Sequence, residues 1–405
     1  MTPEQNRNNR KNGNTDMEQR QPKSNRRAYN AGMAAFFLSG ICAISAGVIV
    51  SILRDRYEFS FSFSGTLVST MSIGNMVALL LSGVLPGVIG EKATTLIMTS
   101  GYFLGYLASA LTGNPVFLLL AFLLMGIAKG CSANKCTILV GNNTDDRSKG
   151  LNLMNAWFAL GALLCPFLIA SLQGVHSSMP MISVSLAGLC LWFVFLFSGL
   201  PGKKASAAGT SEKTDYSFLK SSVFWLLALL LFCENAAEYT VNGWLVTYYK
   251  NEQILTGTLA TYTVTVQWGF TLAARLLLAF LLKGRNPFKA LAIMGVGMTI
   301  MYGVLLKVSA PVPALIALAL FSFSVAGAYP MGVASIGEML SSASVGILLA
   351  FAGIGGILFP WLVGIIADAA GLRTGMAVNL IPCVGIIILP LILLFRRKRQ
   401  EPKQG

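Results

Sequence analysis

The chain is made of apolar runs that are too long for anything but membrane-crossing helices. Runs of 18 or more residues recur with few or no charges, the length a helix needs to cross the hydrocarbon core. Inside lipid each backbone N–H and C=O must find a partner within the protein, so such a run has to be helical. Composition agrees: 55% of the 405 residues are hydrophobic and 11% are charged, where a soluble domain carries about a quarter charged. The expected fold class is all-α integral membrane.

Hydropathy places twelve spans, at 29–53, 64–89, 93–111, 116–140, 151–173, 180–199, 222–248, 258–282, 288–306, 312–332, 343–366 and 374–395. The longest polar interruption, 200–221, opens on Pro201-Gly202-Lys203-Lys204 and separates six spans from six. The expected organisation is a disordered tail (1–28), a six-helix half (29–199), a linker (200–221), a second half (222–395) and a basic tail (396–405). The first 28 residues hold no apolar segment, so no cleavable signal peptide is expected.

Basic residues set the orientation. With an even span count both ends lie on one side. That side collects 22 of the 30 Lys and Arg, the other collects five (Arg54, Arg56, Lys250, Lys307, Arg373), and Lys129, Lys135 and Arg275 fall inside spans. The positive-inside rule then places both termini in the cytoplasm of a cell-membrane protein. It also accounts for the formal charge of +14 without nucleic acid, because the basic runs sit beside anionic headgroups.

The two halves resemble each other. Span 2 carries Gly74-x-x-x-Ala78 and span 8 carries Gly269-x-x-x-Ala273. Span 5 has Gly161-Ala-Leu-Leu-Cys-Pro166 and span 11 has Gly355-Gly-Ile-Leu-Phe-Pro360, with the same Gly-to-Pro spacing. Two six-helix repeats related by an axis along the membrane normal form a transporter architecture, with the solute site between them near the midplane. Close packing of helices through small residues is the other reading of each glycine pair.

With these segments in view, the chain resembles the major facilitator superfamily, and within it the fucose/glucose proton-symporter-like branch. Span 7 reads Glu238-Tyr-Thr-Val-Asn-Gly243-Trp244-Leu-Val-Thr-Tyr248, similar to that branch's Glu-x4-Gly-Trp-x3-Tyr. Spans 4 and 5 are joined by Asp145-Asp146-Arg147-Ser-Lys-Gly150-Leu-Asn152-Leu-Met-Asn155. Span 10 has Gly327-Ala-Tyr-Pro330 with Gly337-Glu338 after it, and span 11 has Pro360-Trp361, Gly364 and Ala367-Asp368. The resemblance implies two pseudo-symmetric halves with spans 1, 4, 7 and 10 facing a cavity. Two departures set this chain apart. The loop after span 2 reads Gly83-Val-Leu-Pro-Gly87-Val-Ile-Gly90-Glu91-Lys92, with glycine at the superfamily's usual acidic position. Span 1 holds no acid and span 4 holds lysine, where sugar symporters carry the acids of proton coupling.

Charges at bilayer depth cost about 3 kcal/mol or more each on insertion scales, so they mark function or a partner. Glu234 and Glu238 are four residues apart on one face of span 7, and Glu234 sits ~16 Å from the cytoplasmic start of the span. Two close carboxyls in low dielectric resist double ionisation, the behaviour proton coupling needs. The alternative is a hydrogen bond to a neighbouring helix. Lys129 lies within ~6 Å of the same depth, and is expected to pair with Glu234 or to meet an anionic group on the solute. Arg275, Glu338 and Lys135 are expected as gate elements, Arg275 with Glu338 as partner; snorkelling is the other reading of Lys135. Asn155, Trp157, Tyr239, Asn242, Trp244, Gln267, Trp268, Tyr262 and Tyr329 complete a candidate solute pocket of amides and aromatic faces, although Trp and Tyr also anchor interfaces and pack between helices.

No Walker Gly-x4-Gly-Lys-[Ser/Thr] occurs, the only histidine is His176, and the seven cysteines show no C-x-x-C pair. No enzyme, cofactor or metal is therefore expected. The expected function is secondary active transport, by proton symport, of a small polar or anionic solute such as a sugar derivative. The expected partners are solute, protons and membrane lipids, with the chain acting as a monomer. Two alternatives stay open here, a proton-coupled efflux antiporter and a lipid-handling protein on the same fold.

Overall fold

The computed structural model describes residues 25–144, 147–173, 175–200, 217–281, 286–328, 331 and 342–400. The tail 1–24, the linker 201–216, the end 401–405, and Tyr329, Pro330 and Glu338 with their neighbours lie outside the described residues. Thirteen α-helices follow in order among the described residues: α1 (Arg26–Tyr57), α2 (Phe61–Ile89), α3 (Glu91–Leu111), α4 (Pro115–Gly141), α5 (Arg147–Gln173), α6 (Met179–Leu196), α7 (Ser222–Asn251), α8 (Thr263–Leu281), α9 (Pro287–Lys307), α10 (Pro311–Val325), α11 (Ser342–Ala370), α12 (Leu372–Ala377) and α13 (Leu380–Gln400). Among the described residues, eight helical segments are long and apolar enough to cross a membrane by length and composition. Helices α2, α3, α8 and the shorter apolar α10 occupy the other predicted spans.

Short polar residues start the helices. Asn25 accepts from the N–H groups of Arg27 and Ala28, and Ser60 accepts from Phe63. Asn114 and Asn286 cap α4 and α9, each followed by proline at the first helical position, where the missing N–H costs nothing. At the tight joint between α2 and α3, Gly90 adopts φ 88, a conformation that side chains resist.

Span 12 is not one helix. It breaks at Val378 and Asn379, between α12 and α13. The fully buried Asn379 donates its side-chain amide to the Ala237 carbonyl at 3.3 Å, and the Tyr302 hydroxyl donates to Met376 O at 3.0 Å. Neighbouring helices thus take up groups near the break, as a broken helix in lipid requires.

The Gly-to-Pro repeat read from the sequence has a structural cause. A Cβ on Gly161 of α5 would collide with the Phe37 carbonyl of α1, and a Cβ on Gly355 of α11 would collide with the Phe232 carbonyl of α7. The fifth helix of each half therefore crosses the first at a glycine. The Gly74 and Gly269 pair is different. Gly74 meets α4 within its own half at Leu123, whereas Gly269 faces Leu163 of the other half at 3.3 Å.

Candidate solute and proton site

The halves are joined at the end of the bundle that carries Asp55, Lys250 and Asp368. Lys250 of α7 pairs with Asp55 of α1 at 2.9 Å. Asp368, near the C-terminal end of α11, accepts from the backbone N–H groups of Phe61 and Ser62 at 2.8 Å each. It thereby caps α2, where the helix dipole favours a negative charge. The Arg54 guanidinium lies over the Phe61 ring at 3.8 Å, and Phe61 in turn meets Trp244 with centroids 6.1 Å apart. Deeper in the seam the Ser69 hydroxyl donates to Ile357 O at 2.7 Å, and Thr265 donates to Leu163 O at 3.2 Å. Phe158 and Trp268 continue the seam at 5.6 Å. This end is closed.

Beneath the seal lies a cavity of about 40 Å³ bounded by α1, α2, α4 and α7, room for a few waters. Lys129, Tyr239, Asn242 and Ser72 are its polar lining, and Ile44, Val68 and Met71 form part of its apolar wall. The Lys129 ammonium stands 4.4 Å from the Tyr239 ring centroid, a cation–π contact across the seam. Among the described residues no carboxylate lies within ion-pair distance of it. Glu238, not Glu234, is the acid within its electrostatic reach.

Glu234 is 1% exposed, and neither of its carboxyl oxygens has an N–H or O–H donor on it among the described residues. The Glu238 carboxyl lies in hydrogen-bond reach of it, and Arg275 of α8 is near enough for charge interaction. Two carboxyls in contact can take up one proton shared between them. With both carboxyls ionised, the charges along this seam run Arg275, Glu234, Glu238, Lys129 and sum to zero; Lys135, the other charge inside a span, is paired with Glu91. The Arg275 Nε is buried without a partner, and the partner expected for it, Glu338, lies outside the described residues.

Other predicted residues are placed elsewhere. Gln267 donates to Asn242 Oδ1 at 2.8 Å and so belongs to the pocket's surround, with its own Oε1 buried and unpartnered. Trp268 packs on Phe158. Trp244 is fully buried and donates to Pro360 O at 3.0 Å, which makes it part of the seal and not of the pocket. Tyr262 packs on Phe167 across the seam at 5.2 Å. Asn155 is exposed and folds its amide back onto Leu151 O, and Trp157 is 41% exposed against Phe37. Neither reaches the cavity, because α5 turns its buried face with Phe158 and Gly161 to α1. Tyr329 lies outside the described residues.

Lys135 is 1% exposed and is ion-paired with Glu91 in the first turn of α3. The pair lies within one half, between α3 and α4. Breaking a buried pair strands the remaining charge. Lys135→Met should therefore lower stability by about 3 kcal/mol, seen as a fall in melting temperature, and adding Glu91→Gln should restore most of it.

The sequence did carry a signal for Asp368. An acid at a helix C-terminus is disfavoured by that helix's own dipole, so its place calls for a second helix to cap. Asp368→Asn should weaken the closed end by about 1–2 kcal/mol, a change of roughly fivefold to thirtyfold in the closed-to-open ratio. Labelling of a cysteine placed at Ser72 by an impermeant thiol reagent added at the Asp368 end should then speed up. An unchanged rate would show that the cap does not hold the seal.

Fold and site define an all-α membrane protein with a charged cavity between two halves. The family model of the Major Facilitator Superfamily matches residues 32–340, and the chain belongs to that superfamily. It is a multi-pass membrane transporter, not an enzyme. The gallate transporter of Pseudomonas putida is 29% identical over 287 residues, 61% of this chain and 63% of that protein. The probable anion transporter 6, chloroplastic, of Arabidopsis thaliana is 22% identical over 254 residues, 56% of this chain and 48% of that protein. The match thus spans less than two thirds of either relative. Three solved structures share the fold. The nucleoside transporter NupG has a TM-score of 0.74 at 14% identity, covering 91% of this chain and 99% of that one. A bacterial homologue of the human lysosomal transporter Spinster, inward-facing and occupied, has 0.67 at 11%, covering 91% and 96%. FucP in the outward conformation has 0.61 at 18%, covering 90% and 98%.

Proposed function

We propose that this chain is a proton-coupled carrier that moves a small anionic solute through the seam between its halves by alternating access. The observation that carries the reading is Lys129, an ammonium without a carboxylate in ion-pair distance among the described residues, lining a cavity between α1, α2, α4 and α7. A cation held at this depth without a partner suits an anion that comes and goes. The relatives named for gallate and for anions point the same way. Tyr239 offers an aromatic face and Asn242 an amide beside the ammonium.

Charge balance supplies the coupling. Arg275 and Lys129 offset Glu234 and Glu238, so the empty site is neutral. A bound monoanion would leave one net negative charge in low dielectric, which is costly. One proton on the Glu234–Glu238 pair removes it. Solute and proton therefore bind together, one for one, and cross as a neutral set.

The distribution of basic residues puts both termini in the cytoplasm, so the closed end faces outside. At about 40 Å³ the cavity admits water and not a ring, so the loaded state is wider than this one.

Binding stabilises only the folded state, which makes a thermal-shift screen of the purified protein the direct test. Small organic anions should raise the melting temperature, and neutral sugars and nucleosides should leave it unchanged. Stabilisation by neutral solutes alone would overturn the assignment of an anionic solute.

A further inference from the structure

A second cavity, of about 510 Å³, opens at the closed end, on the far side of the Trp244–Phe61 contact from Lys129. Arg54 and Asp55 of α1 line it, with Thr247, Lys250 and Asn251 of α7 and Gln253 just beyond. Asp55 neutralises Lys250 at 2.9 Å. Arg54 is left over. It stacks on Phe61, makes no hydrogen bond or ion pair among the described residues, and its Nε is buried without an acceptor. The nearby Asp368 carboxylate is engaged by the N–H groups of Phe61 and Ser62.

Thr247 adds an independent sign. It is 2% exposed, and its hydroxyl is buried with no partner. Thr66, Thr70 and Thr99 each donate to the carbonyl four residues back, whereas Thr240, Thr247 and Thr261 are buried without a partner, and of these three Thr247 is the one that lines this cavity. A buried hydroxyl without an acceptor costs free energy, and here it lines the same cavity as a guanidinium without an acceptor.

We infer that this cavity is a second binding site, for a small oxyanion, distinct from the Lys129 cavity and formed only while the closed end is shut. The oxyanion supplies the acceptors that Arg54 and Thr247 lack, and the planar guanidinium suits two oxygens at once. Arg54 belongs to one half and Thr247 to the other, so the two meet only when α1 and α7 are together. A ligand that binds one conformation shifts the population toward it. An oxyanion arriving from the closed side, outside in the orientation proposed above, therefore slows reopening of that end and brakes the return of the empty carrier.

The test is a sulfate titration of the purified full chain, at constant ionic strength against chloride, read as melting temperature. Sulfate should stabilise the wild type saturably. Arg54→Gln and the near-isosteric Thr247→Val should each raise the half-saturating sulfate about tenfold, and Lys129→Gln should leave it unchanged. Absence of saturable stabilisation overturns the inference, as does stabilisation that survives Thr247→Val. Stabilisation lost in Lys129→Gln and kept in Arg54→Gln places the ion in the central cavity and also overturns it. Failure of Lys129 to bind any solute leaves this second site untouched, so the two readings fail separately.

Discussion

In proteoliposomes under an inward gradient of one pH unit, the wild-type chain should accumulate its anion about tenfold for one proton per solute, and Glu238→Gln should accumulate none. The same variant should still exchange labelled for unlabelled solute across the membrane. The reason is the charge count. With Glu238 amidated, Arg275 and Lys129 face Glu234 alone, and the site carries one net positive charge. It is fixed in the electrostatic state that one proton creates in the wild type. The anion then binds and crosses, but no proton has to accompany it, so the gradient does no work. Glu234→Gln should behave alike, since its carboxyl is in contact with that of Glu238 and has no other donor on it among the described residues. Accumulation unchanged in both variants would sink the assignment of coupling to this pair. Loss of exchange together with accumulation would instead mark the pair as part of solute binding.

The parts of this molecule that the sequence exposes are those governed by the solvent. Lipid forces helices and keeps charges out, so hydropathy locates the spans, and the rare charges within them locate the site. The Gly161–Pro166 and Gly355–Pro360 repeat was equally readable, because both glycines answer the same local demand for a close helix crossing. What stayed hidden depends on distances between segments far apart in sequence. Lys129 and Lys135 are six residues apart on one helix, yet one faces a cavity and the other is paired with Glu91 at the start of α3. Depth alone could not separate them, since the partner of Lys135 lies 44 residues away. Trp244 shows the same limit. An indole suits a solute pocket and a buried seal equally well, and only the Pro360 carbonyl at 3.0 Å decides for the seal. The break in span 12 was also illegible, because it is a local tightening, with the N–H groups of Val378 and Asn379 bonded three residues back, in an apolar run where Ala237 and Tyr302 of neighbouring helices take up polar groups beside it.

The difference between the two lysines gives the second large effect. Lys129→Gln should raise the dissociation constant for the anion by about tenfold to a hundredfold, the loss of one charged hydrogen bond of roughly 1.5–3 kcal/mol. The unliganded protein should melt within a few degrees of wild type, because Lys129 has no ion pair to break and its stem lies among apolar lining residues. Lys135→Met should show the reverse, a lower melting temperature with solute affinity preserved in whatever protein remains folded. The crossed pattern is what separates a ligand-binding cation from a structural one, and either variant alone is ambiguous. If Lys129→Gln lowers the melting temperature of the unliganded protein as far as Lys135→Met does, Lys129 is a structural counter-charge for Glu238, and the anion site must be sought elsewhere along the seam. If affinity falls and the fold holds, the ammonium over Tyr239 is the group that the solute meets, and the empty site is neutral because it is built to receive a charge together with a proton.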